Sequence, residues 1–260
     1  MEFDKKINSS CNEVLFIASP RLGNTSQQLH IINDLYEKAK DRGVDTVINL
    51  GDIADGEYYS RVYDNTQFIN NLKEQAKYIS SIYPYVEGIT TYYMDSTKHY
   101  SQNKDEEFEL NDIIKNERED MVYVGDKCSY IKFNRIKMVL DSTSQRVVLD
   151  SQYRLRNSAT RLMANKVDFD FLVNGTQHED YIERYHDKIL MSTPVVHSNT
   201  CFESIHGINN HVGGVFVKFY TDDYGKIDYV DFDPVLYGKS DFWDEADKDS
   251  QKVKQLVIKK

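Results

Sequence analysis

Two short apolar runs constrain this chain most. VLFIA (residues 14–18) and DTVINL (45–50) each end in a turn. Each is too short for a helix and apolar at successive positions, as expected of strands buried on both faces. Between them, SQQLHIINDLYEKAKDRG places Leu29, Ile32, Leu35, Tyr36 and Ala39 at helical spacing, with Ser26 as N-cap and Gly43 as the stop. A strand, a helix and a second strand in this order demand neighbouring parallel strands.

The pattern continues with helical spacing over 66–82 (Phe68, Ile69, Leu72, Ala76, Ile79), a strand over 90–94 and a helix over 105–118. Strands are then predicted over 121–124, 129–133, 136–141, 146–150 and 169–173, with a short helix over 155–165 before the last of them. Further strands follow over 188–192, 213–220 and 227–232, the final pair joined by the turn signal TDDYGK. The first half is βαβαβ, and the second is strand-rich with little helix to cover it, so two sheets packed face to face are expected. Residues 1–239 read as a single domain. Residues 240–260 form a charged tail that packs through Phe242 and Trp243 and then makes a terminal helix or stays disordered.

The formal net charge of −10 excludes non-specific duplex binding by the whole surface, leaving room only for a local basic groove. Cys11, Cys128 and Cys201 are far apart and lack C-x-x-C spacing, which implies reduced thiols in a cytoplasmic compartment and excludes a thiolate zinc site. No signal pattern and no apolar run of membrane-spanning length is present, so a soluble intracellular protein is expected. The 19 tyrosines reflect either an AT-rich genome or a tyrosine-rich binding surface. Ser19 lacks the G-x-S-x-G elbow of a serine hydrolase, and neither a P-loop nor G-x-G-x-x-G occurs.

In order, FIASPRLGN, GVDTVINLGDIADG, TTYYMDSTKH, VVLDSQ and FLVNGTQH resemble the five-block signature of calcineurin-like metallophosphoesterases, over roughly residues 13–235. The ending NHVGGVFVKFYTDDYGKIDYVDFDP is similar to the closing hairpin of bacterial and phage-type members. The resemblance implies an α/β (α+β) fold, a four-layer α-β-β-α sandwich of two mixed sheets flanked by helices. It also implies two divalent ions at the strand ends, held by Asp-x-His, Gly-Asp, Asn-His, a lone His and Gly-His-x-His, one carboxylate bridging them and a free histidine protonating the leaving oxygen.

Carried over by residue, that pattern is broken. The Asp-x-His pair falls on Ser19 and Arg21. The bridging acid is present as Asp52. The Asn-His pair falls on Thr97 and Lys98, with His99 in the following acid position. The lone His falls on Asp150, and Gly-His-x-His ends on Thr176 and His178. Only Asp52 and His178 of the seven ligand positions keep their residue type, and a lysine stands in place of the proton donor.

The resemblance therefore implies a pseudo-phosphoesterase in which the side-chain cations of Arg21 and Lys98 have replaced the ions. At ~4 Å and an effective dielectric of ~20, such a cation gains ~4 kcal/mol of Coulomb energy against a carboxylate before desolvation. The expectation is no catalytic residue, no metal, and a protein-binding, scaffolding or regulatory role, with tyrosine-rich loops and Phe242–Trp243 as contact surfaces and no membrane association. Three other readings stay open. A rebuilt site could hold one Mn or Zn ion on Asp52, Asp150, His178 and His99 or His197. Such a rearranged site could still hydrolyse phosphoesters. Arg21 and Lys98 could instead clamp a phosphate or nucleotide without cleaving it. Simpler roles also fit: Asp52 with Asp55 suits a capped turn, His178 a satisfied strand-end histidine, and Arg21 and Lys98 solvated loop charges.

Overall fold

The computed structural model describes Phe3 and residues 5–56, 66–95, 104–143, 151–200, 203–204, 208–242 and 257–258. Two six-stranded sheets dominate it. Sheet I contains β2 (Glu13–Ile17), β3 (Thr46–Asn49), β5 (Thr90–Asp95) and β6 (Met121–Asp126), all parallel, and β2 is flanked by the antiparallel hairpin of β12 (Val212–Thr221) and β13 (Ile227–Tyr237). Its order is β13-β12-β2-β3-β5-β6. Sheet II runs β1-β7-β8-β9-β11-β10, from β1 (Lys5–Ile7), β7 (Cys128–Phe133), β8 (Ile136–Asp141), β9 (Phe171–Asn174), β11 (Lys188–Ser192) and β10 (Tyr181–Tyr185). It too mixes parallel and antiparallel pairs.

Side-chain alternation along the strands sorts the interior into layers. In β2, Val14 and Phe16 face the other sheet, whereas Leu15 and Ile17 face helices. In β9, Phe171 and Val173 point between the sheets and Leu172 points outward. The inter-sheet cluster joins Phe16, Ile48 and Val217 of sheet I to Phe133, Met138 and Met191 of sheet II. On the outer face of sheet I pack α1 (Leu29–Asp41), α2 (Leu72–Ile82) and α3 (Lys104–Glu117). On the outer face of sheet II, α4 (Ser151–Ala164) packs through Leu155 and Ala159. Three buried interfaces make four layers. This is the four-layer α-β-β-α sandwich of two mixed sheets that was expected.

Several local expectations shift. The N-cap of α1 is Gln28, not Ser26. Ser26 is held two residues earlier, its backbone N–H and hydroxyl both donating to the Asn24 side chain at 2.9 Å. Gly43 does end α1, with a φ of 70° that suits glycine. The helix expected from residue 66 starts at Leu72, because the Phe68 and Ile69 N–H groups turn to the Gly23 carbonyl and Asn71 caps the helix through Glu74 N. The strands β1, β10 and β4 (Tyr85–Val86) were not expected. In the tail, Phe242 packs against the helical layer, and Val257–Ile258 forms β14, parallel to β4, where a helix or disorder was expected. The strand expected at 146–150, along with Trp243 and Cys201, lies outside the described residues. Cys11 and Cys128 are free thiols. Among the described residues no helix is long and apolar enough to cross a membrane.

Candidate functional site

The loops leaving β2 and β3 run side by side. Ser19 N–H donates to Gly51 O, Arg21 N–H to Asp52 O and Leu22 N–H to Ile53 O, all at 2.9–3.0 Å. This pairing extends the parallel ladder beyond the strands, so Arg21 beside Asp52 is a matter of register. Ser19, Arg21 and Asp52 sit at φ of 49°, 46° and 46°, and His178 at 63°. Left-handed backbone at a residue other than glycine costs roughly 1–2 kcal/mol, and such conformations collect where surrounding contacts impose them, functional sites included.

On the sheet I side, the Arg21 guanidinium lies 3.9 Å from Asp52 Oδ2 and 3.8 Å from Asp55 Oδ1. These distances suit ion pairs and are too long for direct hydrogen bonds. Asp55 is fully buried, and its Oδ2 accepts from Asn24 Nδ2 at 2.8 Å and Gln67 Nε2 at 2.7 Å. Asp52 Oδ1 is buried and takes no hydrogen bond from the described residues. Arg21 is thus shared between two acids.

The other side is built by the segment after β11. Thr193 N–H donates to Asn174 O of sheet II and Val196 N–H to Ala18 O of sheet I, so this segment spans both sheets. It carries His197 inward, where the ring is fully buried. His197 Nδ1 donates to Ser19 O at 2.6 Å, and Nε2 lies 3.1 Å from Glu203 Oε1. His178 stacks edge-on against it, the ring centroids 5.7 Å apart. His178 Nδ1 is 2.8 Å from Asn210 Oδ1 and 3.4 Å from Glu203 Oε1.

Glu203 owes its position to a capping box, Thr200-x-x-Glu203. Its Oε2 accepts from Thr200 N at 2.7 Å, Thr200 Oγ1 at 2.9 Å and Asn210 Nδ2 at 3.1 Å, and Glu203 N–H donates to Thr200 Oγ1. Burial would raise the Glu203 pKa, but the contact with His197 and the charge of Arg21 outweigh it and hold the group well below the usual carboxylate range. Burial pushes His178 down to about 4, against the pull of Glu203 and aided by His197 and Arg21, so its ring is neutral at pH 7.

The two sides meet at Gly175. A Cβ there would lie 2.4 Å from both the Leu50 carbonyl oxygen and Leu50 Cβ, so the turn after β9 rests directly on the residue before Gly51-Asp52.

The structure thus brings together Ser19, Arg21, Asp52, Asp55, His178 and His197. Thr176 takes no part in this cluster through its hydroxyl, which donates to Thr143 O and Asn174 Oδ1, both at 3.1 Å. His211 pairs with Asp180, and His186 stacks on Tyr185. Thr97, Lys98, His99, Asp150 and His206 lie outside the described residues; the acid at the strand end beside β9 is Asp141. Sequence reasoning missed Glu203 and Asn210. The T-x-x-E pattern at 200–203 was the available signal for Glu203. Among the described residues, the Arg21 guanidinium stands beside Asp52, and Thr176 offers a hydroxyl that is already engaged.

No protein-family model matches the chain, and no curated protein matches it. Among solved structures, it is similar to an archaeal phosphodiesterase (14% identity, 86% of this chain and 99% of that one, TM-score 0.47). It is also similar to Vps29 from Chaetomium thermophilum (12%, 87% and 98%, 0.43). A third is Vacuolar Protein Sorting 29 from Cryptosporidium parvum (15%, 88% and 98%, 0.43).

Proposed function

We propose that this protein is a phosphoesterase-fold chain that does not carry out two-metal hydrolysis and acts as a protein-binding, scaffolding or regulatory subunit. One observation carries the reading: Arg21 stands 3.9 Å from Asp52 and 3.8 Å from Asp55, where a bridging carboxylate would need an ion. A guanidinium stays charged at any physiological pH, so a divalent ion beside Asp52 would meet fixed positive charge. The same pairing weighs against an anion clamp, since two carboxylates already engage Arg21. Tyr224, Tyr229 and Leu236, exposed on the β12–β13 hairpin and its edge strand, support a protein-contact surface. Free thiols at Cys11 and Cys128 support a reducing, cytoplasmic setting.

The test is turnover of bis-p-nitrophenyl phosphate in Mn²⁺, alongside inductively coupled plasma metal analysis. The expected result is a rate equal to the protein-free control. Turnover that disappears in Asp52→Ala overturns the reading.

A further inference from the structure

We propose that His178, His197 and Glu203 form a mononuclear site for a zinc-class divalent cation, distinct from the Asp52 position. Their donor atoms all lie within 4.8 Å of one another. His197 Nε2 and His178 Nδ1 stand 3.1 and 3.4 Å from the same oxygen, Glu203 Oε1. Four-coordinate zinc with bonds of about 2.0–2.1 Å spaces its ligand atoms by roughly 3.3–3.4 Å, so little movement is needed to admit the ion. Two imidazoles and a carboxylate leave a fourth position for water or a substrate group, and this donor set suits zinc better than magnesium or calcium.

The surrounding contacts orient the ligands. Three donors occupy Glu203 Oε2, which leaves Oε1 turned toward both rings. The Nδ1 bond of His197 to Ser19 O fixes its tautomer and presents the Nε2 lone pair, as outer-shell carbonyls do at histidine metal sites. His178 makes the one adjustment. Its Nδ1 leaves Asn210 Oδ1, and its proton moves to Nε2.

The competing account is a plain His197–Glu203 ion pair with no ion, and metal loading separates the two. The full chain is stripped with chelator, reloaded with zinc, desalted and measured by inductively coupled plasma analysis. Binding is followed by calorimetry, and cobalt substitution by visible absorption. The expected result is one zinc per chain, a visible band of four-coordinate cobalt and a raised melting temperature. His178→Gln and Glu203→Gln should each weaken zinc by more than about a hundredfold, beyond what a lost outer-shell contact gives. Far-UV circular dichroism checks that both variants fold, and the wild-type stoichiometry stands without them. Absence of stoichiometric zinc overturns the site, as does zinc binding unchanged in both folded variants. The outcomes also separate this site from the function proposed above. Phosphoester turnover lost in Asp52→Ala overturns that function alone, and failure to bind zinc overturns this site alone.

Discussion

On one side of the cleft, Asp52 and Asp55 face a single arginine at 3.9 and 3.8 Å; on the other, Glu203 faces two histidines at 3.1 and 3.4 Å. Both sides stabilise carboxylates out of bulk water, yet their partners differ in kind. Arginine cannot release its proton and cannot ligate a cation, so it meets the Asp52 side with fixed positive charge. Imidazole can be charged, neutral or metal-bound, so the Glu203 side has partners with options that a guanidinium lacks. The backbone follows the same division. Arg21 is placed by a ladder of main-chain hydrogen bonds, whereas Glu203 is placed by a capping box in a loop that crosses from one sheet to the other.

The largest way to break this contrast is Arg21→Met, which keeps bulk and removes charge. It leaves Asp55 fully buried without its cation, and urea unfolding should show a loss of about 3 kcal/mol. A loss below about 1 kcal/mol would mean that Asn24 and Gln67 suffice for Asp55 and that the arginine is not the counter-charge.

Glu203→Gln in chelator comes next. It retains most of the capping geometry but takes a carboxylate from two rings, and about 2 kcal/mol should be lost. If the chelator-treated variant is as stable as wild type, the ring–carboxylate contacts contribute nothing in the absence of metal. Thr200→Val then removes only the capping hydroxyl, for about 1 kcal/mol by the same measurement.

The smallest effect serves as a control at the far end of β3. Asp45 accepts from the Ser9 and Ser10 hydroxyls, Ser10 N and Thr46 Oγ1. Burial raises its pKa, and the hydrogen bonds from Ser10, Ser9 and Thr46 overcome that and lower it. A carboxylate lowered on folding adds stability above its unfolded pKa of about 3.9, and that stability is lost as pH falls through the folded value. Asp45→Asn should therefore melt below wild type at pH 7, with the gap closing in strong acid. A gap that persists there would assign the effect to packing rather than charge.

How much of this was readable beforehand depends on the range of the interactions. The runs at 14–18 and 45–50 are buried on both faces, so their apolar run marked them as strands, and Arg21 and Asp52 were placed at neighbouring strand ends by the resemblance. β10 is an edge strand whose residues are mostly half-exposed, and YIERY carries no clean alternation to reveal it. The displaced starts of α1 and α2 reflect side chains of Asn24 and Asn71 that bind nearby backbone, which helical spacing does not register. Glu203 was the hardest to see. Its capping motif is local, but the histidines it meets come from two other segments, and only tertiary packing brings them to the same oxygen.

The contact between Gly175 and Leu50 bears on how such a cleft can move. The turn rests on the Leu50 carbonyl and Cβ, with no longer side chain between them to give way. The histidine turn therefore has no slack against the strand end that carries Asp52, and any side chain at residue 175 would have to wedge the two apart.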